Sequence, residues 1–168
     1  QDLGLPKRYL LACARFVPKK NLVRLIRAFS QYRSETEASP WDLVVLGDGP
    51  ERDNVEQAIT ETGVESAVYL PGFKQYDELP THYGLADAFI LPSTTEQWGL
   101  VVNEAMASGL PVLVSEHCGC ASELVHYGEN GHTFDPYDVD GMCRHIKRMA
   151  NGTYSRDAMA KASARIID

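Results

Sequence analysis

The sequence predicts an α/β domain: a doubly wound, Rossmann-like parallel sheet of about six strands with helices on both faces. Short, nearly continuous apolar runs recur along the chain, helical patterns separate them, and Gly, Pro, Asn and Asp punctuate the joins. Strands buried on both faces read as unbroken apolar runs rather than alternating ones. Strands that alternate with helices of this length pair in parallel through right-handed crossovers.

The run R-Y-L-L-A-C-A (8–14), bounded by charge, is the first strand. In N-L-V-R-L-I-R-A-F-S-Q-Y (21–32), Leu22, Leu25, Ile26 and Phe29 repeat at helical spacing, and Asn21 is the expected N-cap. W-D-L-V-V-L-G (41–47) is the second strand, D-G-P turns the chain, and a helix over 51–62 stops at Gly63. A-V-Y-L-P-G (67–72) is the third strand, with a helix over 76–85 behind it. A-D-A-F-I-L-P-S (86–93) is the fourth strand, 100–108 a helix and P-V-L-V-S (111–115) the fifth strand. A short helix over 121–127, a weak strand at 132–134 and two polar helices over 138–151 and 154–167 complete the order.

With 168 residues, the chain is long enough for one domain with a true core, assigned here to 1–168. A hydrophobic fraction of 44% and a mean hydropathy of -0.25 are ordinary for a globular protein. No apolar run approaches the ~20 residues of a membrane span. The start, Q-D-L-G-L-P-K-R, has neither an initiating Met nor a signal-peptide pattern, so the sequence reads as a piece of a longer polypeptide. A formal charge of -7 argues against nucleic acid as a partner. Four Cys and five His show no disulfide framework and no complete metal-ligand set, so no metal is expected. Reduced thiols fit a cytoplasmic protein. A peripheral attachment of the full-length protein to a membrane is compatible with the same features.

Everything with chemical character follows a strand, and ligands of doubly wound sheets bind at the carboxyl ends of strands, at the topological switch point. Arg15, Lys19 and Lys20 follow the first strand and precede a helix start, a setting suited to phosphate oxygens or to a plain solvated turn. Asp48-Gly49-Pro50 suits a helix cap, with Gly47 and Gly49 permitting a tight turn or close ligand approach. Neither a G-x-G-x-x-G fingerprint nor a P-loop is present, which removes NAD-dependent and P-loop chemistry. After the fourth strand, E-Q-W-G-L-V-V-N-E sets Glu96 before a turn and Glu104 inside a small, apolar helix. Gly99 opens that helix, so the amides of Leu100 and Val101 lack intrahelical partners and form an anion site. Glu104 suits a vicinal diol, since two carboxylate oxygens can take two O–H donors; a water-satisfied surface glutamate is the alternative. Trp98 reads as packing, and His117, His126 and His132 as surface or capping groups.

In order along the chain come A-R-F-V-P-K-K-N with L-I-R-A-F, then L-V-V-L-G-D-G-P, then V-Y-L-P-G-F with D-E-L. Next is A-D-A-F-I-L-P-S-x-x-E-x-W-G-L-x-x-x-E-A-M-A-S-G-L-P-V. The set resembles the C-terminal, donor-binding domain of retaining nucleotide-sugar glycosyltransferases of the two-Rossmann-domain (GT-B) class, family four. It covers about Tyr9 to Met149, and its E-x7-E element within these flanks is specific. Ala14 stands where the family more often has Gly.

The resemblance implies that Arg15 and Lys20 hold the diphosphate with the amides at Gly99, Leu100 and Val101. It implies that Glu104 bonds the ribose hydroxyls and that Glu96 orients the donor sugar near its anomeric carbon. Gly72, Phe73 and Lys74 correspond to the nucleobase region. Glu96, Arg15 and Lys20 are thus the catalytic candidates, acting on a UDP-, GDP- or ADP-sugar with no tightly bound cofactor and no required metal. The class also needs an N-terminal acceptor-binding domain, which these residues do not include. The chain alone is therefore expected to be inactive, its acceptor being a glycan, a lipid or a small molecule. The rival readings are a non-catalytic nucleotide or nucleotide-sugar binding module and half of a related epimerase or phosphorylase.

Overall fold

A computed structural model describes residues 3–168; Gln1 and Asp2, which open the expected domain 1–168, lie outside the described residues. Six strands form one sheet in the order β3-β2-β1-β4-β5-β6, and each adjacent pair is parallel. They are β1 (Tyr9–Cys13), β2 (Asp42–Leu46), β3 (Val68–Gly72), β4 (Ala88–Leu91), β5 (Val112–Ser115) and β6 (Gly131–Phe134). The helices are α1 (Leu22–Ser34), α2 (Arg52–Thr62), α3 (Leu79–Leu85), α4 (Leu100–Ala107), α5 (Ala121–Leu124), α6 (Val139–Ala150) and α7 (Arg156–Ile167). The doubly wound fold expected from the alternation of elements is the one observed.

Strand periodicity divides the core in two. Leu10, Ala12, Leu43, Val45, Ala88, Ile90 and Leu113 face one layer, which α1, α2 and α6 cover. Tyr9, Leu11, Val44, Leu46, Phe89, Leu91, Val112 and Val114 face the other, under α3, α4 and α5. Each buried aliphatic or aromatic side chain contributes ~1.5–3 kcal/mol, so neither face can stand uncovered. This is the physical reason the strands read as unbroken apolar runs. α7 contributes Met159 to the first core and packs Ile166 and Ile167 against the second. Its start is tied to the amino ends of the strands: Arg156 meets Asp87 at 2.7 Å, and Asp87 also takes Arg8 Nε and the Tyr9 amide, both at 3.0 Å.

Local chemistry moves several expected boundaries. The helix expected over 76–85 begins only at Leu79, because Glu78 Oε2 accepts the Gln75 amide at 2.8 Å and holds the preceding turn. The helix expected over 121–127 ends at Leu124. Gly63 stops α2 in the left-handed region as expected, with φ 70°. Asn21 does not cap α1 with its side chain. It sits in the left-handed region, and its buried Nδ2 donates to the carbonyls of Pro92 (2.9 Å) and Pro136 (2.8 Å), joining the loops after β4 and β6. Asp48 does not cap α2 either; it accepts the Gly49 amide and lies 3.5 Å from Arg52. His132, expected at the surface, is buried within β6. None of the described helices is long and apolar enough to cross a membrane.

Candidate functional site

Strand connections turn opposite ways after β1 and after β4, so the sheet opens a crevice beyond the carboxyl ends of these neighbours. A cavity of about 500 Å³ lies there, walled by Cys13, Ala14, Arg15, Lys20, Leu46, Gly47, Asp48, Phe73, Lys74, Leu79 and Val101. Next to it, sharing Leu79, is a hollow of about 200 Å³ that Tyr76, Tyr83 and Glu104 help to line. Residues far apart in sequence thus converge on one crevice, each placed by the end of a strand or the start of a helix.

Its floor depends on close backbone approach. Gly47 has φ 125°, and a Cβ there would fall 1.9 Å from the Ala14 carbonyl oxygen. The two loops are stitched by Ala14 N to Leu46 O (3.0 Å) and Phe16 N to Asp48 O (2.9 Å). Gly47 N also donates to Gly72 O at 3.0 Å, which ties in the end of β3. The glycines of the G-D-G turn therefore serve loop packing, with φ 157° and a Phe16 carbonyl contact at Gly49.

Glu96 is held from four sides. Its carboxylate pairs with Lys20 Nζ, lies 3.9 Å from Lys19 Nζ and accepts from Ser93 Oγ at 3.1 Å. Its backbone forms a short parallel bridge with Cys118, through Glu96 N to His117 O (3.3 Å) and Gly119 N to Glu96 O (3.0 Å). The Glu96 side chain is only 10% exposed, and such burial of a carboxylate is tolerable where cations and a hydroxyl replace lost water. This explains C-G-C: a Cβ at Gly119 would stand 1.8 Å from Gln97 O, so only glycine lets the β5–α5 loop clamp the Glu96 segment. Among the described residues, all four cysteines are free. Burial, with a nearby carboxylate adding to it, pushes the thiol of Cys118 up to about 12 and that of Cys120 up to about 11. Both stay protonated and act as packing.

Lys20 closes a 3₁₀ turn, Pro18–Lys20, and points to the crevice, whereas the start of α1 opens onto a separate hollow lined by Asn21, Leu22, Val23, Arg24 and Arg27. The basic pair and the first helix start, expected to act together, thus face different cavities. The helix start that does meet the pair is that of α4, whose Val101 lines the main cavity. Gly99 precedes it at φ 103°, with Val102 N donating to Gly99 O at 3.0 Å, and Leu100 is exposed. The exposed Arg15 guanidinium makes no ion pair or hydrogen bond among the described residues, so its donors are available.

Glu104 rises from α4 and accepts from Tyr83 Oη at 3.0 Å. The phenol is buried, and burial together with the Cys13 thiol and Glu104 raises its pKa beyond the ordinary range. Glu104 is therefore neither stranded in the core nor left to water alone. Phe73 and Tyr76 stand exposed at the rim. Trp98 packs against the second core as expected and donates to Asn103 Oδ1 at 2.8 Å. Ser93 and Tyr83 escaped the sequence reading. Ser93 sits three residues before Glu96, and Tyr83 four after Leu79 on one helix face, signals that are visible only once a carboxylate needs a donor. In sum, Arg15, Lys20, Phe73, Lys74 and Val101 line the main cavity, Glu104 the neighbouring hollow, and Glu96 reaches the cavity through Lys20. Gly72, which ends β3 at φ 90°, and Gly99 and Leu100, at the start of α4, line neither space.

The chain has known relatives. It is 34% identical over 148 residues to the GDP-mannose-dependent alpha-(1-6)-phosphatidylinositol monomannoside mannosyltransferase of Mycolicibacterium smegmatis, covering 83% of this chain and 38% of the relative. Among solved structures, sucrose-phosphate synthase from Thermosynechococcus elongatus superposes with a TM-score of 0.87 at 25% identity, over 99% of this chain and 42% of that one. The Anabaena protein HepE, solved in complex with UDP, gives a TM-score of 0.85 at 28% identity over 99% and 45%. The chain thus spans less than half the length of each of these three proteins. The description "Glycosyl transferases group 1" matches residues 2–165, and the chain belongs to that family.

Proposed function

We propose that this domain binds the nucleotide-sugar donor as the C-terminal half of a retaining glycosyltransferase, and that an N-terminal domain supplies the acceptor site. The observation that carries the reading is the convergence of Arg15, Lys20, Lys74 and the α4 start on one strand-end crevice, with Glu96 and Glu104 at its margins. The Arg15 and Lys20 cations and free helix amides suit a diphosphate. Glu104 takes the ribose hydroxyls, Phe73 and the adjoining loop meet the base, and Glu96 faces the hexose.

Chemically, breaking the bond between the sugar and the diphosphate leaves negative charge on the leaving group and oxocarbenium character on the anomeric carbon. Arg15, Lys20 and the amides of Leu100 and Val101 are preorganised for the first, so they stabilise the departing charge without a divalent cation. Glu96, fixed by Lys20 and Ser93, orients sugar hydroxyls and offers negative charge near the second. In this reading the acceptor site belongs to another domain, so these 168 residues by themselves are not expected to turn over. The acceptor is a glycan, a lipid or a small molecule, and the whole protein acts in the cytoplasm.

Two of the relatives handle different nucleotides, GDP-mannose and UDP. The test is therefore calorimetric titration of the 168-residue chain with UDP, GDP, ADP and their sugars. Saturable one-to-one binding of at least one is expected, and no binding by any at millimolar concentration overturns the proposal.

A further inference from the structure

We infer that Tyr83 is a positioning residue whose buried hydroxyl holds the Glu104 carboxylate ready to receive a sugar hydroxyl. The inference rests on the reading of Glu104 as a ribose acceptor and extends it to a residue inside the core.

Tyr83 is 2% exposed and its ring packs on Phe89 of β4, with centroids 5.9 Å apart. The ring therefore cannot swing away. Its Oη donates to Glu104 Oε2 at 3.0 Å, the one side-chain partner of that carboxylate among the described residues. The Cys13 thiol lies against the same phenol. Since Cys13 lines the main cavity while Tyr83 and Glu104 line the neighbouring hollow, the three side chains form a bridge between the two spaces.

A phenylalanine would fill the same volume, so packing does not account for the hydroxyl. A buried hydroxyl needs a partner, and here the partner is a carboxylate on the rim of the candidate site rather than a nearby backbone carbonyl. Burial and the adjacent negative charge keep the phenol protonated at every physiological pH, so it acts as a permanent donor. With Oε2 engaged, Oε1 retains both lone pairs and Oε2 one, enough for two further O–H donors. Without Tyr83, Glu104 would be a mobile surface side chain that a ligand must immobilise, a cost corresponding to roughly 2–12-fold in affinity.

The experiment uses Tyr83→Phe in the 168-residue chain. UDP, GDP and ADP are titrated beside their 2′-deoxy counterparts by calorimetry. The parent should prefer the ribose form. Tyr83→Phe should lower affinity for the ribose form by roughly 2–12-fold and leave the deoxy form much less affected, so that the preference shrinks. In a Glu104→Ala background, Tyr83→Phe should have no further effect on it. An equal loss for both ligand forms assigns Tyr83 to structure alone and overturns the inference, as does an unchanged preference. Thermal melts of the ligand-free parent, both single variants and the double variant read the Tyr83–Glu104 contact itself. Additive losses there also overturn it. If the parent binds none of the six ligands while the melts show coupling, the donor-site proposal fails and the contact survives as a structural one.

Discussion

Replacing Lys20 by methionine tests how Glu96 is kept in place. The substitution preserves most of the side-chain volume and removes the charge. Lys20 and Glu96 are only 18% and 10% exposed, so losing one partner leaves a carboxylate largely cut off from water. Breaking a fully buried pair costs ~3–5 kcal/mol. Here Lys19 remains 3.9 Å away and Ser93 Oγ still donates at 3.1 Å, which lowers the expected cost to about 2 kcal/mol. For a chain of this length that is a fall in Tm of roughly 4–8 °C. Lys20→Met combined with Glu96→Gln removes both charges, and should recover more than half of the loss. Urea titrations of the parent, the two single variants and the pair measure all four stabilities. Nucleoside diphosphate binding should be weakened in Lys20→Met and in the double variant alike, because the cation facing the diphosphate is gone from both. A Lys20→Met protein as stable as the parent, or a double variant no more stable than Lys20→Met, would refute the compensated-carboxylate argument.

Three further expectations follow from particular contacts. Glu104→Ala should weaken nucleotide binding by ~1–3 kcal/mol, the cost of hydrogen bonds to a charged acceptor, whereas Glu96→Gln should not weaken free nucleotide binding; calorimetry that finds equal losses would contradict the division of roles. Gly119→Ala puts a Cβ 1.8 Å from Gln97 O and should destabilise the chain by ~1–3 kcal/mol, read from urea midpoints. At β6, buried His132 stacks on Tyr154 at 4.1 Å, and His145 Nδ1 lies 3.0 Å from the Tyr154 hydroxyl. Burial, then His132 and the guanidinium groups of Arg148 and Arg144 against the opposing Asp138, pushes His145 from 6.5 down to about 4, and burial and Arg148 lower His132 as well. His145 is thus neutral in the fold and charged when unfolded at mildly acid pH, and burial shifts His132 in the same direction. The His145 contribution is full above pH 6.5 and is lost as pH falls from 6.5 towards 4. Partial solvation limits the loss to about 1–2 kcal/mol, and His145→Phe should flatten the dependence of the urea midpoint between pH 7 and 5.

The layout of elements was legible because it is written in local patterns. Apolar runs such as L-V-V-L, helical spacing at Leu22, Leu25, Ile26 and Phe29, and stops such as Gly63 need only nearest neighbours to be read. The crevice followed from connection rules, and Arg15, Lys20, Glu96 and Glu104 were nominated because each follows a strand. Asn21 and Asp48 were misread as caps for an equally physical reason. A side chain that can cap a helix can also bind elsewhere, and for Asn21 the loops after β4 and β6 supply two carbonyls that no local pattern announces. His132 was misplaced because a weak edge strand has too little apolar signal to declare its burial.

By itself, the sequence determined the order of elements, the parallel sheet and the strand ends at which chemistry would gather, since backbone propensity and hydrophobic period are local properties. Tertiary structure alone decided the partners. It turned Lys20 toward Glu96, set Tyr83 beneath Glu104, and required glycine at 47 and 119, where another loop's carbonyl leaves no room for a Cβ. These contacts join residues 21 to 76 positions apart, and only packing of the two helical layers on the sheet brings them within bonding distance.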